Sequence, residues 1–255
     1  MKDFLQASAI WAAITAIFEV LVYLFHENLY PPKGTEQAHI VDEAFTVLLY
    51  LSVPIVTLVL TAVTYSVIRF RARNNTARQS DDLTESARFN KKWAWSWMGW
   101  STALCIAVMI FPGYIGLIQL RETNDEPADL TIQVTGMRWA WWYYYEDQEI
   151  SLKQSDDVLV LPNDSLIRFK IRVIESDVLH SFWIPAFRAK IDAVPGLLTG
   201  IDVSTNRIGS FEDDSSYRVQ CAELCGINHS KMNTNVKVVS KEDFDLWVAS
   251  QQEAK

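Results

Sequence analysis

Cysteine and histidine are rare in this sequence. Only three cysteines and four histidines occur among its 255 residues. None of them belongs to a C-x-x-C-H motif, so the chain attaches no c-type haem of its own. The sequence also has no internal repeat and no low-complexity segment.

Residues 121–255 lack both an excess of positive charge and a long apolar run. They contain 14 Lys and Arg against 22 Asp and Glu, a net charge of −8. Nothing in this balance favours nucleic acid as a partner; an acidic face is usually only a solvated face, and here it could also steer a basic protein partner. No stretch in this half is apolar over the roughly 20 residues that a membrane helix needs.

Hydrophobic sequence is concentrated before residue 121. Residues 4–25, 44–68 and 93–120 are each long and apolar enough to cross a bilayer as a helix. The first run could be a signal peptide, but only Lys2 precedes it as a basic residue and no A-x-A site follows, which favours a retained helix. The sequence therefore predicts two or three transmembrane helices in 1–120, depending on whether the first run is retained, with membrane lipid around them.

The loop between the second and third runs indicates the orientation. Residues 69–92 hold seven basic and three acidic side chains. Because basic loops stay on the cytoplasmic side, or in the mitochondrial matrix, we place 69–92 inside. Residues 26–43 and 121–255 then lie outside, and the N-terminus lies inside.

Residues 121–255 show repeated strand patterns. Residues 167–173 alternate strictly between apolar and polar, and Gly, Pro, Asn and Asp separate the runs. We predict strands at Leu130–Val134, Trp139–Tyr145, Val158–Leu161, Leu166–Ile174, Val178–Ile184, Gly200–Val203, Tyr217–Cys221 and Val236–Val239. Short strands at this spacing predict an all-β sandwich or barrel. Ser240 and Asp243 form a helix-capping pattern, so a short helix is expected to end the domain.

Two of the three cysteines lie in one short stretch, Cys221–Met232, which reads C-A-E-L-C-G-I-N-H-S-K-M. Thiolate and thioether sulfur are soft ligands and imidazole is borderline, a mixture that suits copper. One blue-copper ion uses a single cysteine, so the second thiolate favours two copper ions. A disulfide between Cys221 and Cys225, or a zinc site, stays open at this point.

The pattern C-x-E-x-C-x-x-x-H-x-x-M resembles the binuclear copper (CuA) loop of cytochrome c oxidase subunit II. Three other segments carry the same resemblance: Asp177–Phe182 (D-V-L-H-S-F), Lys190–Gly196 (K-I-D-A-V-P-G) and Gly136–Trp141 (G-M-R-W-A-W). The resemblance covers most of 129–239. It implies a cupredoxin-like fold for 121–255 and an integral protein of the bacterial cytoplasmic or mitochondrial inner membrane, with the copper domain on the outer side.

The resemblance also implies residue roles. Cys221 and Cys225 would bridge two copper ions, and His180 and His229 would each bind one. Met232 and the carbonyl of Glu223 would be the weak ligands. The Glu223 side chain would reach a magnesium ion at the contact with subunit I. Trp139 would receive the electron from cytochrome c, and none of these residues would reduce oxygen.

The implied function is that of subunit II in a haem-copper terminal oxidase. Electrons would pass from cytochrome c, or another c-type donor, through the copper pair to the haem of subunit I, where oxygen is reduced to water with proton translocation. Subunits I and III would be its partners. Two alternatives remain: the copper subunit of a related nitric oxide reductase, and a copper-free scaffold of the quinol-oxidase type, which the intact ligand set disfavours.

Overall fold

The computed structural model describes residues 2–71, 91–122, 126–153 and 158–253. Most of the basic loop predicted at 69–92 lies outside the described residues. The α-helices are α1 (Lys2–Phe25), α2 (Glu36–Arg69), α3 (Lys91–Val108), α4 (Ile115–Glu122) and α5 (Lys241–Glu253). Three segments, Lys2–Leu29, Glu36–Arg69 and Ala94–Arg121, are long and apolar enough to cross a membrane.

Helices α1 and α2 are joined by polar contacts between otherwise apolar faces. The indole Nε1 of Trp11 donates to the backbone carbonyl of Pro54 at 2.9 Å, and the hydroxyls of Thr15 and Thr57 lie 2.7 Å apart. Hydrogen bonds of this kind help membrane helices to associate, because hydrocarbon offers no other partner for the polar groups. The first apolar run is therefore docked on the second as a helix.

The third apolar segment is not one continuous α-helix. Between α3 and α4, residues Met109–Tyr114 form a π-helical stretch in which Phe111 leaves helical geometry at φ −136° and ψ 120°. The cause is Pro112, because proline has no N–H to donate and disfavours the α conformation in the residue before it.

The C-terminal half consists of short strands in two sheets. They are β1 (Leu130–Met137), β2 (Ala140–Tyr145), β3 (Ile150–Lys153), β4 (Leu159–Pro162), β5 (Ser165–Val173), β6 (His180–Ile184), β7 (Ala189–Ala193), β8 (Thr199–Thr205), β9 (Gly209–Ser210), β10 (Arg218–Cys221) and β11 (Asn233–Val239). One sheet has the order β3-β2-β1-β5-β8, and the other has β4-β11-β10-β6-β7 with β9 also paired to β11.

The two sheets enclose an aromatic core. The rings of Phe169 and Phe182 lie 5.1 Å apart, and Trp141 meets Phe182 edge-on at 5.7 Å. All three side chains are fully buried. At the C-terminus, the Ser240 hydroxyl accepts from the backbone N–H of Asp243 at 3.1 Å, which caps α5 as the sequence predicts. The predicted fold class is confirmed: N-terminal apolar helices, then an all-β, cupredoxin-like sandwich with a short terminal helix.

Three strands were not predicted. β3 and β9 are four and two residues long, too short for a clear alternation. β7 pairs with β6 across five residues, although its sequence overlaps Lys190–Gly196, the segment that resembles the family's D-A-hydrophobic-P-G turn. The turn itself comes later, where Gly196 adopts φ +77°.

A segment ahead of the second apolar run belongs to the β unit. Residues 30–42 and 116–255 form one compact unit, and 1–29 with 43–115 form another. The Gly34 N–H donates to the Ala186 carbonyl at 2.9 Å, and the Ser204 N–H donates to Gln37 Oε1 at 2.9 Å. Arg188 donates to both carboxylate oxygens of Asp42 at 2.8 Å. Residues 31–42 therefore form a strap across the sandwich.

Candidate metal centre

Neighbouring strand ends bring His180 and Cys221 together. His180 opens β6 and Cys221 closes β10, and these strands pair antiparallel with Cys221 opposite Phe182. The Ala222 N–H continues the pairing by donating to the Ser181 carbonyl at 2.9 Å. As a result, His180 Nδ1 lies 3.8 Å from Cys221 Sγ across 41 residues of sequence.

The loop after β10 returns the remaining predicted ligands to the same place. It closes where the Cys221 N–H donates to the Met232 carbonyl at 3.0 Å. Cys225 Sγ lies 3.8 Å from Cys221 Sγ, 3.6 Å from His229 Nδ1 and 3.9 Å from Met232 Sδ. The ligand atoms of His180, Cys221 and Cys225 all lie within 4.8 Å of one another.

The same cluster includes a backbone oxygen. The Cys221 thiol donates to the carbonyl of Glu223 at 3.1 Å, while the Glu223 side chain is exposed. The structure therefore brings together all six residues predicted from the loop and its upstream histidine.

The donor set distinguishes between the open alternatives. Both cysteines are free thiols, so no disulfide joins Cys221 and Cys225. The cluster offers two thiols, two imidazoles, a thioether and a carbonyl. A zinc site is four-coordinate and takes its ligands from Cys, His and carboxylates, so this set has more donors than zinc uses and includes a thioether that zinc sites do not use. Soft sulfur beside imidazole fits copper. The residues present thus fit a two-copper centre.

Burial controls protonation in this cluster. Met232, Cys225 and Cys221 are 1%, 4% and 7% exposed, and His180 is fully buried. Burial, reinforced by the neighbouring Cys221, raises the pKa of the Cys225 thiol to about 12. Burial also lowers the pKa of His180, against the opposing effect of Asp177. A metal would therefore meet a neutral imidazole and would displace a proton from Cys225.

Asp177 lies beside His180, and no role was predicted for it from the sequence. Its Oδ1 lies 3.7 Å from His180 Nε2, on the ring edge opposite the cluster. Burial alone would raise the pKa of Asp177, but the backbone N–H groups of Val178 and Arg138 and the nearby charges hold that pKa below its ordinary value. The carboxylate lies behind the predicted ligand but beyond hydrogen-bond distance of His180 Nε2, so it acts on the imidazole through its charge. The available signal was an aspartate three residues before the predicted ligand.

Trp139 lies directly against the loop. Its indole Nε1 donates to the Cys225 carbonyl at 3.0 Å, and its ring covers Gly226, which has φ +116°. Arg138, the preceding residue, donates through its backbone N–H and its Nε to Asp177, both at 2.8 Å. Trp141, two residues later, is fully buried in the core instead.

The tip of the loop points away from the sandwich. Leu224 and Ile227 are 77% and 87% exposed, although they flank the buried Cys225.

Comparison with known proteins identifies relatives over this region and beyond. Residues 146–239 match the family described as "Cytochrome C oxidase subunit II, periplasmic domain". The probable cytochrome c oxidase subunit 2 of Rickettsia bellii is 34% identical over 222 residues, which cover 80% of this chain and 76% of the relative. The alternative cytochrome c oxidase subunit 2 of Bradyrhizobium diazoefficiens is 29% identical over 97% of this chain and 92% of its own length. A crystal structure of the periplasmic domain of cytochrome oxidase subunit II from Bradyrhizobium japonicum aligns with 51% of this chain and 97% of its own, at 32% identity and a TM-score of 0.45.

Proposed function

The chain belongs to the cytochrome c oxidase subunit II family and is thus a subunit of an oxidoreductase complex, and on that premise we propose that it carries a binuclear CuA centre. With copper bound, such a centre would supply electron transfer from a c-type cytochrome to the haem of subunit I. Oxygen reduction and proton translocation then occur in the assembled enzyme, on other chains. Subunits I and III are the expected partners.

Six residues would hold the copper pair. Cys221 and Cys225 supply bridging thiolates, His180 and His229 supply one imidazole each, and Met232 and the Glu223 carbonyl are the weak ligands. When bound, such a pair would supply one-electron transfer. The sandwich keeps its ligands rigid because two of them end paired strands and the loop closes on itself by a backbone hydrogen bond.

Trp139 is the proposed receiving residue. Its half-buried ring lies between solvent and the loop, and its N–H donates to the carbonyl of the bridging residue Cys225. This gives a short, hydrogen-bonded connection from the outer surface to a ligand. Asp177 and Arg138 hold the same corner together, since one carboxylate contacts both Arg138 and His180.

The opposite side of the loop is the proposed route out. His229 is partly exposed and Glu223 is exposed, so both are available to a neighbouring subunit. The Glu223 carboxylate is the proposed ligand for a magnesium ion at that contact, because carboxylate oxygen suits hard cations. The domain that carries these residues is proposed to face the outer side of the bacterial cytoplasmic or mitochondrial inner membrane.

The observation that carries this proposal is the cluster of four sulfur and imidazole contacts between 3.6 and 3.9 Å around Cys221 and Cys225. The experiment is copper reconstitution of the purified chain, with metal analysis and electron paramagnetic resonance. We expect two copper ions per chain and the spectrum of one electron delocalised over both. One copper per chain, or preferential zinc, would contradict the proposal.

Three variants and one control sharpen the experiment. Cys221→Ser and Cys225→Ser should each abolish the delocalised signal, because a single thiolate cannot bridge symmetrically. Met232→Leu retains both bridges and should keep two copper ions while changing the reduction potential. Cys105→Ser, at the exposed third cysteine, is the matched control and should leave both copper content and spectrum unchanged.

A further inference from the structure

A cavity of about 330 Å³ lies within the unit made of 30–42 and 116–255, away from the copper loop. Its walls are the start of α2, the end of α4 and the strands β7 and β8. The apolar lining residues are Val41, Leu117, Leu120, Ile191, Ile201 and Val203. The volume falls in the range of small-ligand sites, about 300–1,000 Å³.

Two charged side chains in the wall are already neutralised. Arg188 is 11% exposed and donates to both carboxylate oxygens of Asp42, which belongs to the strap. Asp202 is 6% exposed and accepts from the Arg168 guanidinium at 2.6 Å. Neither group therefore supplies net charge to a ligand.

The remaining charges in the described lining are both positive. Arg121 is exposed at the end of α4. Lys190 is 49% exposed and makes one contact of 3.3 Å with Asp192, itself 60% exposed. A surface pair of this kind is weak, so Lys190 keeps its capacity to bind an anion. The cavity thus favours a negatively charged ligand.

Gln37 adds a hydrogen-bond donor. The side chain is 7% exposed, and its Oε1 accepts from the Ser204 N–H at 2.9 Å, which fixes the orientation of the amide. Its Nε2 is buried in the cavity wall without a hydrogen-bond partner among the described residues. A buried donor left unpaired is destabilising, so an oxygen atom from a ligand is expected beside it.

The position of the cavity identifies the ligand class. Arg121 ends the span Ala94–Arg121, and Leu117 and Leu120 belong to the last turns of that span. The apolar wall is therefore expected at the edge of the hydrocarbon layer and the cations at the level of lipid headgroups. Basic pockets beside membrane helices bind anionic headgroups.

We propose that this cavity binds one anionic phospholipid. The headgroup phosphate accepts from Arg121 and Lys190, an oxygen of the headgroup or ester accepts from Gln37 Nε2, and an acyl chain follows Leu117 and Leu120. The lipid proposal does not depend on copper. Failure to bind lipid would leave the proposed copper centre unaffected, and failure to bind copper would leave the lipid proposal unaffected.

The test is native mass spectrometry of the detergent-purified full-length chain with added phosphatidylglycerol or phosphatidylcholine of identical acyl chains. We expect one phosphatidylglycerol to be retained under conditions that remove phosphatidylcholine. Arg121→Gln and Lys190→Gln should each weaken retention about fivefold, the effect of one basic residue near a lipid surface. Gln37→Glu preserves the acceptor for Ser204 and replaces the donor with a negative charge, so it should also weaken retention.

Lys241→Gln, an exposed cation at the start of α5, is the matched control and should leave retention unchanged. Equal retention of the two lipids would overturn the proposal, as would wild-type retention by the Arg121→Gln, Lys190→Gln double variant. A second arm uses photoactivatable phosphatidylglycerol and the assembled oxidase in its membrane. Crosslinking to 117–121 in the assembled oxidase supports the proposal. Crosslinking that occurs in the isolated chain but not in the assembled oxidase would show that another subunit covers the cavity, and it would overturn the proposal.

Discussion

Gly226 follows the predicted ligand Cys225 and lies against the ring of Trp139. Its φ of +116° is one that side chains rarely adopt, and a Cβ placed there would lie 3.3 Å from Nε1 and Cζ2 of Trp139. We therefore predict that Gly226→Ala destabilises the domain by about 1–3 kcal/mol through backbone strain and pushes the indole away from the Cys225 carbonyl. Denaturant unfolding followed by tryptophan fluorescence measures the first effect.

Gly196→Ala is the control for this substitution. Gly196 also has positive φ, +77°, but nothing lies within 4 Å of a Cβ placed there. It should cost about 1 kcal/mol for the left-handed conformation alone and leave the tryptophan emission unchanged. Equal effects of the two substitutions on emission would show that the close approach of Trp139 to Gly226 is not important.

Trp139 is predicted to control the rate at which electrons reach the centre. Trp139→Ala removes the ring that connects the surface to Cys225, and we expect sharply slower reduction with copper content and donor binding nearly intact. Arg138→Gln should mainly change donor binding and its salt dependence, because exposed charges act over a Debye length of about 10 Å at 0.1 M salt. Stopped-flow reduction by a candidate cytochrome c over a salt series measures both.

Trp139→Phe keeps an aromatic ring and loses the N–H that donates to Cys225. We expect its rate of copper reduction to lie between those of the wild type and Trp139→Ala. The position of that rate would distinguish the contribution of the aromatic ring from that of the hydrogen bond. If Trp139→Ala is reduced at the wild-type rate under saturating donor, Trp139 is only a packing residue and electrons arrive by another route.

Among the elements, the strap at 31–42 contains one buried ion pair in addition to the hydrogen bonds of Gly34 and Gln37. Asp42 and Arg188 are 3% and 11% exposed, and Arg188 also donates to the carbonyls of Pro31 and Pro185. Asp42→Asn leaves this guanidinium without its counter-charge, which costs about 3–5 kcal/mol for a buried pair. Limited proteolysis within 30–42 and thermal unfolding of the purified chain are the measurements.

The pair formed by Lys170 and Glu146 is the surface counterpart, with 39% and 26% exposure. Glu146→Gln should cost less than about 1 kcal/mol. An Asp42→Asn variant no less stable than Glu146→Gln would show that the strap does not depend on its ion pair.

The sequence predicted the elements where local pattern determines structure. The alternation at 167–173 became β5, and Ser240 with Asp243 became the cap of α5. It missed the strap, because Gln37 and Asp42 lie in 26–43, for which only the side of the membrane was predicted, and their partners lie more than 140 residues away. It also missed β7, whose pairing with β6 depends on register rather than on its own sequence.

The candidate site was largely predictable for a different reason. Five of its six residues lie within twelve positions, so the motif alone identifies them, and only His180 depends on strand pairing. The supporting residues were not predictable, because Asp177 and Gly226 act through distances to His180 and Trp139 that no spacing specifies.

For the whole molecule, the main prediction is orientation. The excess of basic residues at 69–92 predicts that this loop is inside, with 26–43 and 121–255 outside. Protease added to sealed, right-side-out cells or vesicles should therefore cleave 121–255 and spare 69–92. Inside-out vesicles are the control and should show the reverse, and cleavage at 69–92 from the outer side would contradict the topology.

Mass spectrometry of the mature chain tests the retained first helix, since a new N-terminus near residue 26 would identify a signal peptide.

The strap also has a consequence for the order of events during synthesis. Pro31 and Asp42 leave the ribosome 157 and 146 residues before Arg188, the residue that binds them both. Until then, the strap has no partner and stays open to proteases and chaperones. Because contacts between such distant residues are slow to form, docking of the strap is expected to be a late step in maturation. Translation must therefore pass Arg188, near the middle of the sandwich, before the strap ahead of the second apolar run can reach its final place.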